Sequence, residues 1–233
     1  MIIISVLAMK AKTKYYRAQS LRDSISFVLD GKTELWYLQL LKEHHHIPVH
    51  FSPELPQDKS LEELFELVKR NADDYSKVFW VLDLDVVIRE SRQYKGTDDK
   101  RPVNLLKKYI EELKSKSNVF IIINTPGFEY WVLLHFRQTK RYYETCDHVI
   151  DEIHKEKGME GYDKSEKFFK NPRNNIYQRL LPNVVQAIKN SRATGELDFD
   201  NVEVGLSQMC ILFDELNLFH KPQSVSTPIC SLP

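Results

Sequence analysis

The chain has 233 residues, 42% hydrophobic and 28% charged, with Lys plus Arg and Asp plus Glu both at 33. That is ordinary for a soluble globular protein, large enough for one domain or for a core with a helical extension. Zero formal charge excludes a protein whose whole surface is built for nucleic acid, and leaves room for a local basic patch.

Residues 1–23 read as a basic leader. Met1 to Met9 are apolar, but no basic segment precedes them and no small-residue cleavage site follows. They are too short to span a bilayer and suit a first strand or a disordered start. Lys10, Lys12, Lys14, Arg17 and Arg22 surround Tyr15 and Tyr16. Cations with aromatics suit backbone contact and base stacking on a nucleic acid, and a solvated leader is the plainer reading.

Ile25 to Leu29 reads as a strand, followed by Asp30-Gly31-Lys32-Thr33-Glu34 and an apolar helix, which makes a βα unit. Ile47 to Phe51 reads as a second strand. Ser60 to Ala72 is a helix by its spacing, with Ser60 and Glu63 as a capping box. Consecutive histidines 44–46 point about 100° apart on a helix, so they converge poorly on one ion and read as a solvated helix end.

The apolar run Val78-Phe79-Trp80-Val81-Leu82 reads as a strand buried on both faces, ending in Asp83-Leu84-Asp85. Two carboxylates two residues apart on an extended backbone project to the same side. In open α/β sheets the ligand crevice lies outside the carboxyl ends of the strands. Acids gathered there are costly unless a cation joins them, so Asp83 and Asp85 are candidate ligands for Mg²⁺ or Mn²⁺. Residues 90–101 are polar and read as a loop over this site. Pro102 opens a helix, and Val119 to Ile123 is another apolar strand.

Thr125 and Pro126 suit the N-cap and first position of a helix running through Phe128-Glu129-Tyr130-Trp131-Val132-Leu133-Leu134-His135-Phe136. That helix is apolar nearly all round and should be buried, with only Glu129 and His135 ionisable. Glu129 suits the helix dipole and also faces the crevice of Asp83 and Asp85. His135, six positions on, points elsewhere and reads as a core or surface histidine. Beyond residue 126 the pattern offers helices but no strand. One runs from Asn175 to Asn190, another carries Leu206, Met209, Cys210 and Phe213. Lys164, Lys167, Lys170 and Arg173 form a second basic cluster, able with the leader to clamp a nucleic-acid backbone or simply to face solvent. Three cysteines without CxxC spacing give no disulfide framework and no zinc motif, so a reducing cytoplasm is the simplest compartment.

The resulting division is a leader (1–23), an α/β core (24–140), a helical C-terminal portion packed on it (141–220) and a loose tail (221–233). The motifs at 30–34, 83–85 and 124–136, in that order, resemble the RloB-like family across about residues 24 to 190. The long block from Asn124 to Phe136 is the specific part, and Tyr162-Asp163-Lys164 resembles the family's helical portion. The resemblance implies a Toprim-like fold: an open, mostly parallel sheet flanked by helices, with a helical C-terminal extension. It implies a metal-dependent nuclease acting on RNA or DNA in antiviral defence (abortive infection), often beside a partner ATPase of AAA or ABC type.

By the same resemblance Asp30 and Glu34 are the catalytic acids, Asp83, Asp85 and Glu129 hold Mg²⁺ or Mn²⁺, and Lys32 joins the basic residues as a nucleic-acid contact. Asp30 stands where Toprim proteins usually have Glu. One methylene fewer withdraws the carboxylate by about 1.5 Å, and about 1 Å can already cost much rate. A weakened enzyme, a role taken over by Glu34, a tolerated change, and a non-catalytic sensor or scaffold subunit all follow from that difference. The strand ending in DxDxV also resembles the haloacid-dehalogenase phosphohydrolases, although no downstream Lys and GDxxxD set accompanies it.

Overall fold

A computed structural model describes residues 24–29, 31–51 and 59–219. Asp30, the leader residues Lys10, Lys12, Lys14 and Arg17, and the 221–233 tail lie outside them. The described chain forms β1 (Ile25–Leu29), α1 (Lys32–His45), β2 (Val49–Phe51), α2 (Leu61–Asp74), β3 (Lys77–Asp83), α3 (Leu84–Gln93), α4 (Pro102–Leu113), β4 (Val119–Thr125) and α5 (Phe128–Leu134). Then follow α6 (Cys146–Ile153), α7 (Glu166–Phe169), α8 (Ile176–Leu180), α9 (Val184–Thr194), β5 (Leu206–Ser207) and α10 (Cys210–Glu215).

The strands form one sheet in the order β2-β1-β3-β4-β5. All pairs are parallel except the last, where β5 runs antiparallel to β4. Strand order reverses between β1 and β3, so the carboxyl ends of these two strands flank the crevice where ligands of such sheets bind.

Period-two alternation divides the strand side chains between two cores. Phe27, Leu29, Phe79, Val81 and Ile122 point to one face, beside α1, α5, α6, α8, α9 and α10. Val28, Val78, Trp80, Leu82 and Ile123 point to the other, under α2, α3 and α4. With helices on both sides, β3 has no solvent face, which is why Val78 through Leu82 read as an unbroken apolar run. The capping box of α2 forms, Ser60 and Glu63 each accepting from the other's backbone N–H.

Four boundaries differ from the sequence expectation. Helix α3 starts directly after Asp83, so Asp85 stands in a first helical turn and residues 90–93 are helical rather than loop. Leu84, Val87 and Ile88 bury a helical stripe that the strand reading of Asp83-Leu84-Asp85 had hidden. Thr125 ends β4, and Gly127, not Thr125, is the N-cap of α5. The helix expected over Asn175 to Asn190 breaks into α8 and α9 through a 3₁₀ turn at Leu181–Asn183, where Pro182 cannot donate. Leu206 lies in the two-residue strand β5 and not in a helix. A strand this short carries no periodicity to read.

Candidate metal centre

Three chain reversals at the carboxyl ends of the strands build the site. After β3, Asp83 is the N-cap of α3, and the N–H of Asp85 donates to the carbonyl of Pro126 at 3.0 Å. That bond ties the β3–α3 junction to the β4–α5 junction. The strands behind it are in register at Asp83 and Asn124. Asp85 turns one carboxylate oxygen onto the Val86 N–H, 2.7 Å away.

After β4 the chain passes Asp83 at Gly127. A Cβ at this position would sit 2.5 Å from Asp83 Oδ2 and 2.7 Å from Cys146 Sγ. Its φ of −161° is ordinary extended backbone, so the glycine serves close approach and not an unusual conformation. Two residues on, Glu129 enters the first turn of α5 with no exposed surface. One ligand atom each from Asp83, Glu129 and Cys146 lies within 4.8 Å of the others.

After β1, Glu34 stands in the first turn of α1, 1% exposed. Thr33 Oγ1 donates to its Oε2 at 3.0 Å. A Cβ on Gly31 would come within 2.3 Å of the same oxygen, so a side chain there would push the Glu34 carboxylate out of this position. Tyr162 lies beside the centre and feels the charge of Glu34 as well. Its buried hydroxyl lies 3.5 Å from Glu129 Oε1, and its acidity is suppressed by burial, then by the charges of Glu129, Glu34 and Cys146.

The electrostatics are those of carboxylates gathered out of water. Burial raises the Asp85 carboxyl above its ordinary range, against the Val86 N–H and the Arg89 and Lys164 charges. Burial also pushes the Cys146 thiol strongly upward, reinforced by Glu129, Asp83 and Asp85. It is therefore a neutral S–H, 3.9 Å from Asp85 Oδ2. Lys164 is the cation that answers this charge. Its Nζ lies 2.9 Å from Glu129 Oε1, and although burial disfavours its charge, Glu129 raises its pKa overall. Glu129 Oε2, buried, has no hydrogen-bond partner.

The sequence candidates divide accordingly. Asp83, Asp85 and Glu129 come together, and the charge of Glu34 is felt at Tyr162 beside them. Of the basic candidates among the described residues, Lys164 alone contacts the acids. Lys167, Lys170 and Arg173 are exposed on the segment beyond it, Lys170 paired with Glu166, and Lys32 is exposed at the start of α1. His46 caps α1 in the left-handed region at φ 53°, and His45 bonds the Tyr177 hydroxyl at 2.6 Å, so the histidine run forms no joint site. Cys146, Tyr162, Thr125 and Gly127 are site residues that the sequence reading did not assign. Carboxylate oxygens converge at the centre and one of them lacks a partner, which suits a hard divalent cation.

A family model described as RloB-like protein matches residues 25–216, most of the chain and every described element of the site. No curated protein and no solved structure matches it.

Proposed function

The chain belongs to the RloB-like protein family, and from that premise we propose that it is a Toprim-type nuclease. In this reading it uses Mg²⁺ or Mn²⁺ to hydrolyse phosphodiester bonds of RNA or DNA as an antiviral effector, beside a partner ATPase. The observation that carries the reading is Glu129 Oε2. A carboxylate oxygen that is fully buried, unpartnered and set against a second acid is costly unless a cation completes it.

Asp83 and Glu129 would hold the ion, and Asp85 would complete its shell. A bound divalent ion supplies Lewis acidity at a phosphoryl oxygen and activates a nucleophilic one. The protein's own residues do the rest. The N–H of Asp85 on Pro126 fixes the spacing of the two acid-bearing turns. Lys164 holds the Glu129 carboxylate in place and offsets charge at the centre. In this reading Glu34, which accepts a hydrogen bond from Thr33, would carry the proton, with Asp30 sharing that role by the family resemblance. The helices over both sheet faces leave the strand ends as the open edge where a polymer can approach.

The test is cleavage of bulk transfer RNA and of plasmid DNA by the purified chain with Mg²⁺ or Mn²⁺, beside Asp85→Asn. Cleavage should stop when EDTA removes the ion, and the variant should lose at least about 10-fold. Equal cleavage by a folded Asp85→Asn protein would overturn the assignment.

A further inference from the structure

A pocket of about 110 Å³ opens beside the acidic centre, between α3, the β4–α5 turn and the segment before α6. Its wall includes Asp85, Arg89, Arg92, Thr125, Tyr142 and Thr145. Asp85 is shared with the acidic centre, so whatever fills the pocket lies next to it. Arg89 and Thr125 are among those with unspent hydrogen-bonding capacity. Thr125 is fully buried, and its hydroxyl has no partner. The side chain of Arg89, an exposed residue one helical turn beyond Asp85, makes no hydrogen bond or ion pair among the described residues, yet its charge acts on Asp85.

Arg92 is differently placed. Glu203 accepts from it at 2.5 Å, and Glu144 lies 3.5 Å away, so its charge is already answered and its guanidinium is anchored on the pocket rim. The unspent groups thus include one forked cation and a buried hydroxyl donor, beside a carboxylate that a metal ion would offset. A ligand that fits must be anionic, rich in acceptor oxygens and content beside a divalent cation. A phosphate group meets all three conditions, and a guanidinium fork matches its oxygens two at a time.

We propose that this pocket is a phosphate subsite, where Arg89 and the Thr125 hydroxyl hold a backbone phosphate adjoining the one cleaved at the acidic centre. The identity of the polymer rests on the nuclease reading, while the affinity for phosphate does not. Phosphate contacts of this kind set the position of a nucleic acid and carry no sequence information.

Inorganic phosphate is the probe. It is titrated into the full chain with Mg²⁺ and with EDTA, followed by phosphorus NMR, for the wild type, Arg89→Ala, Arg89→Lys and Thr125→Val. Wild type should bind saturably, more tightly with Mg²⁺ because the ion offsets Asp85. Arg89→Ala should bind at least about 10-fold more weakly, as the loss of a hydrogen-bonded charge implies. Arg89→Lys should fall between, having the charge without the fork, and Thr125→Val should weaken binding in a protein of unchanged shape. Phosphate binding of equal strength in wild type and Arg89→Ala, or none in the wild type under either condition, overturns the subsite. Arg89-dependent binding in a chain that cuts neither RNA nor DNA keeps the subsite and removes the nuclease. Cleavage lost in Asp85→Asn, with phosphate binding indifferent to Arg89, does the reverse.

Discussion

His135 ends α5 with its ring 2% exposed and only half satisfied: Nδ1 lies 2.9 Å from the Trp131 carbonyl, and Nε2 has no partner. The Trp131 ring packs across it at 4.5 Å. Burial drives the imidazole down to about 4, although the backbone carbonyls of Trp131 and Val132 pull the other way. Between that value and the ordinary one near 6.5, the unfolded chain binds a proton that the folded chain refuses. Stability attributable to this group is therefore complete above about pH 6.5 and drains away as pH falls towards 4, by an amount on the order of 3 kcal/mol. Melting temperatures measured between pH 4.5 and 7.5 should fall on the acid side in the wild type and flatten in His135→Gln. Parallel curves would refute the account. The sequence leaves His135 as a core or surface histidine, because the helix before it is apolar nearly all round while Arg137 and Gln138 follow it, and the structure buries it. The three acids of the centre were legible because carboxylates stood out at the ends of apolar runs. Cys146 was not, since it meets Asp85 across 61 positions and nothing near it in sequence marks the encounter. The sequence puts Lys164 in a basic cluster able to clamp a nucleic-acid backbone or to face solvent, and gives no sign that its ammonium lies on Glu129.

At the scale of elements, the strands and the first helices followed directly from periodicity, and the errors gathered where two elements meet. An acid pair after an apolar strand has the same spelling whether the second acid is extended or in a first helical turn. The deciding contact, Asp85 N–H to Pro126, comes from another junction. Strand β5 is the extreme case. Two residues have no pattern, and side chains of α9 hold them in place. Ser191, 1% exposed, donates to the Ser207 carbonyl at 2.6 Å and accepts from the Cys210 N–H at 2.9 Å. Thr194 also donates to the Ser207 carbonyl and accepts, at 3.3 Å, from the Ser207 N–H. One hydroxyl thus joins β5 and the start of α10 to α9. Ser191→Ala removes it and leaves the part-buried Cys210 N–H and the Ser207 carbonyl each short of a partner, which should cost about 1–3 kcal/mol. For a chain of this size that is about 2–4 °C of melting temperature per kcal/mol. An unchanged melting temperature in Ser191→Ala would show that the hydroxyl holds nothing together.

For the whole molecule, the informative quantity is how the two cores divide the chain. The core under α2, α3 and α4 draws mostly on residues before 125. The other sets Phe27, Phe79 and Ile122 of the sheet in one cluster with Val149, Ile153, Ile176, Leu180, Leu212 and Phe213 from the C-terminal helices. A zero net charge and an even composition could not reveal this, because every part of the chain contributes to the average. Nor could the boundary placed at 140, which marks a change of pattern and not a gap in the packing. Among the described residues, the cover on that face beyond α1 and α5 is supplied by residues after 140. A chain ending at 140 would expose Phe79, Ile122 and the apolar wall of α5 to water, a loss of about 25 cal/mol for each Å² left uncovered. The intact chain should therefore melt in one transition, and a fragment ending at 140 should show no cooperative melt. Trp80 lies in one core and Trp131 in the other, so tryptophan fluorescence samples both faces while far-ultraviolet circular dichroism follows the helices. Coincident curves for the full chain with a featureless fragment are the expected result. Two separated transitions in the full chain, or a fragment that unfolds cooperatively, would show instead that residues 24–140 stand alone and that the C-terminal helices are an appendage.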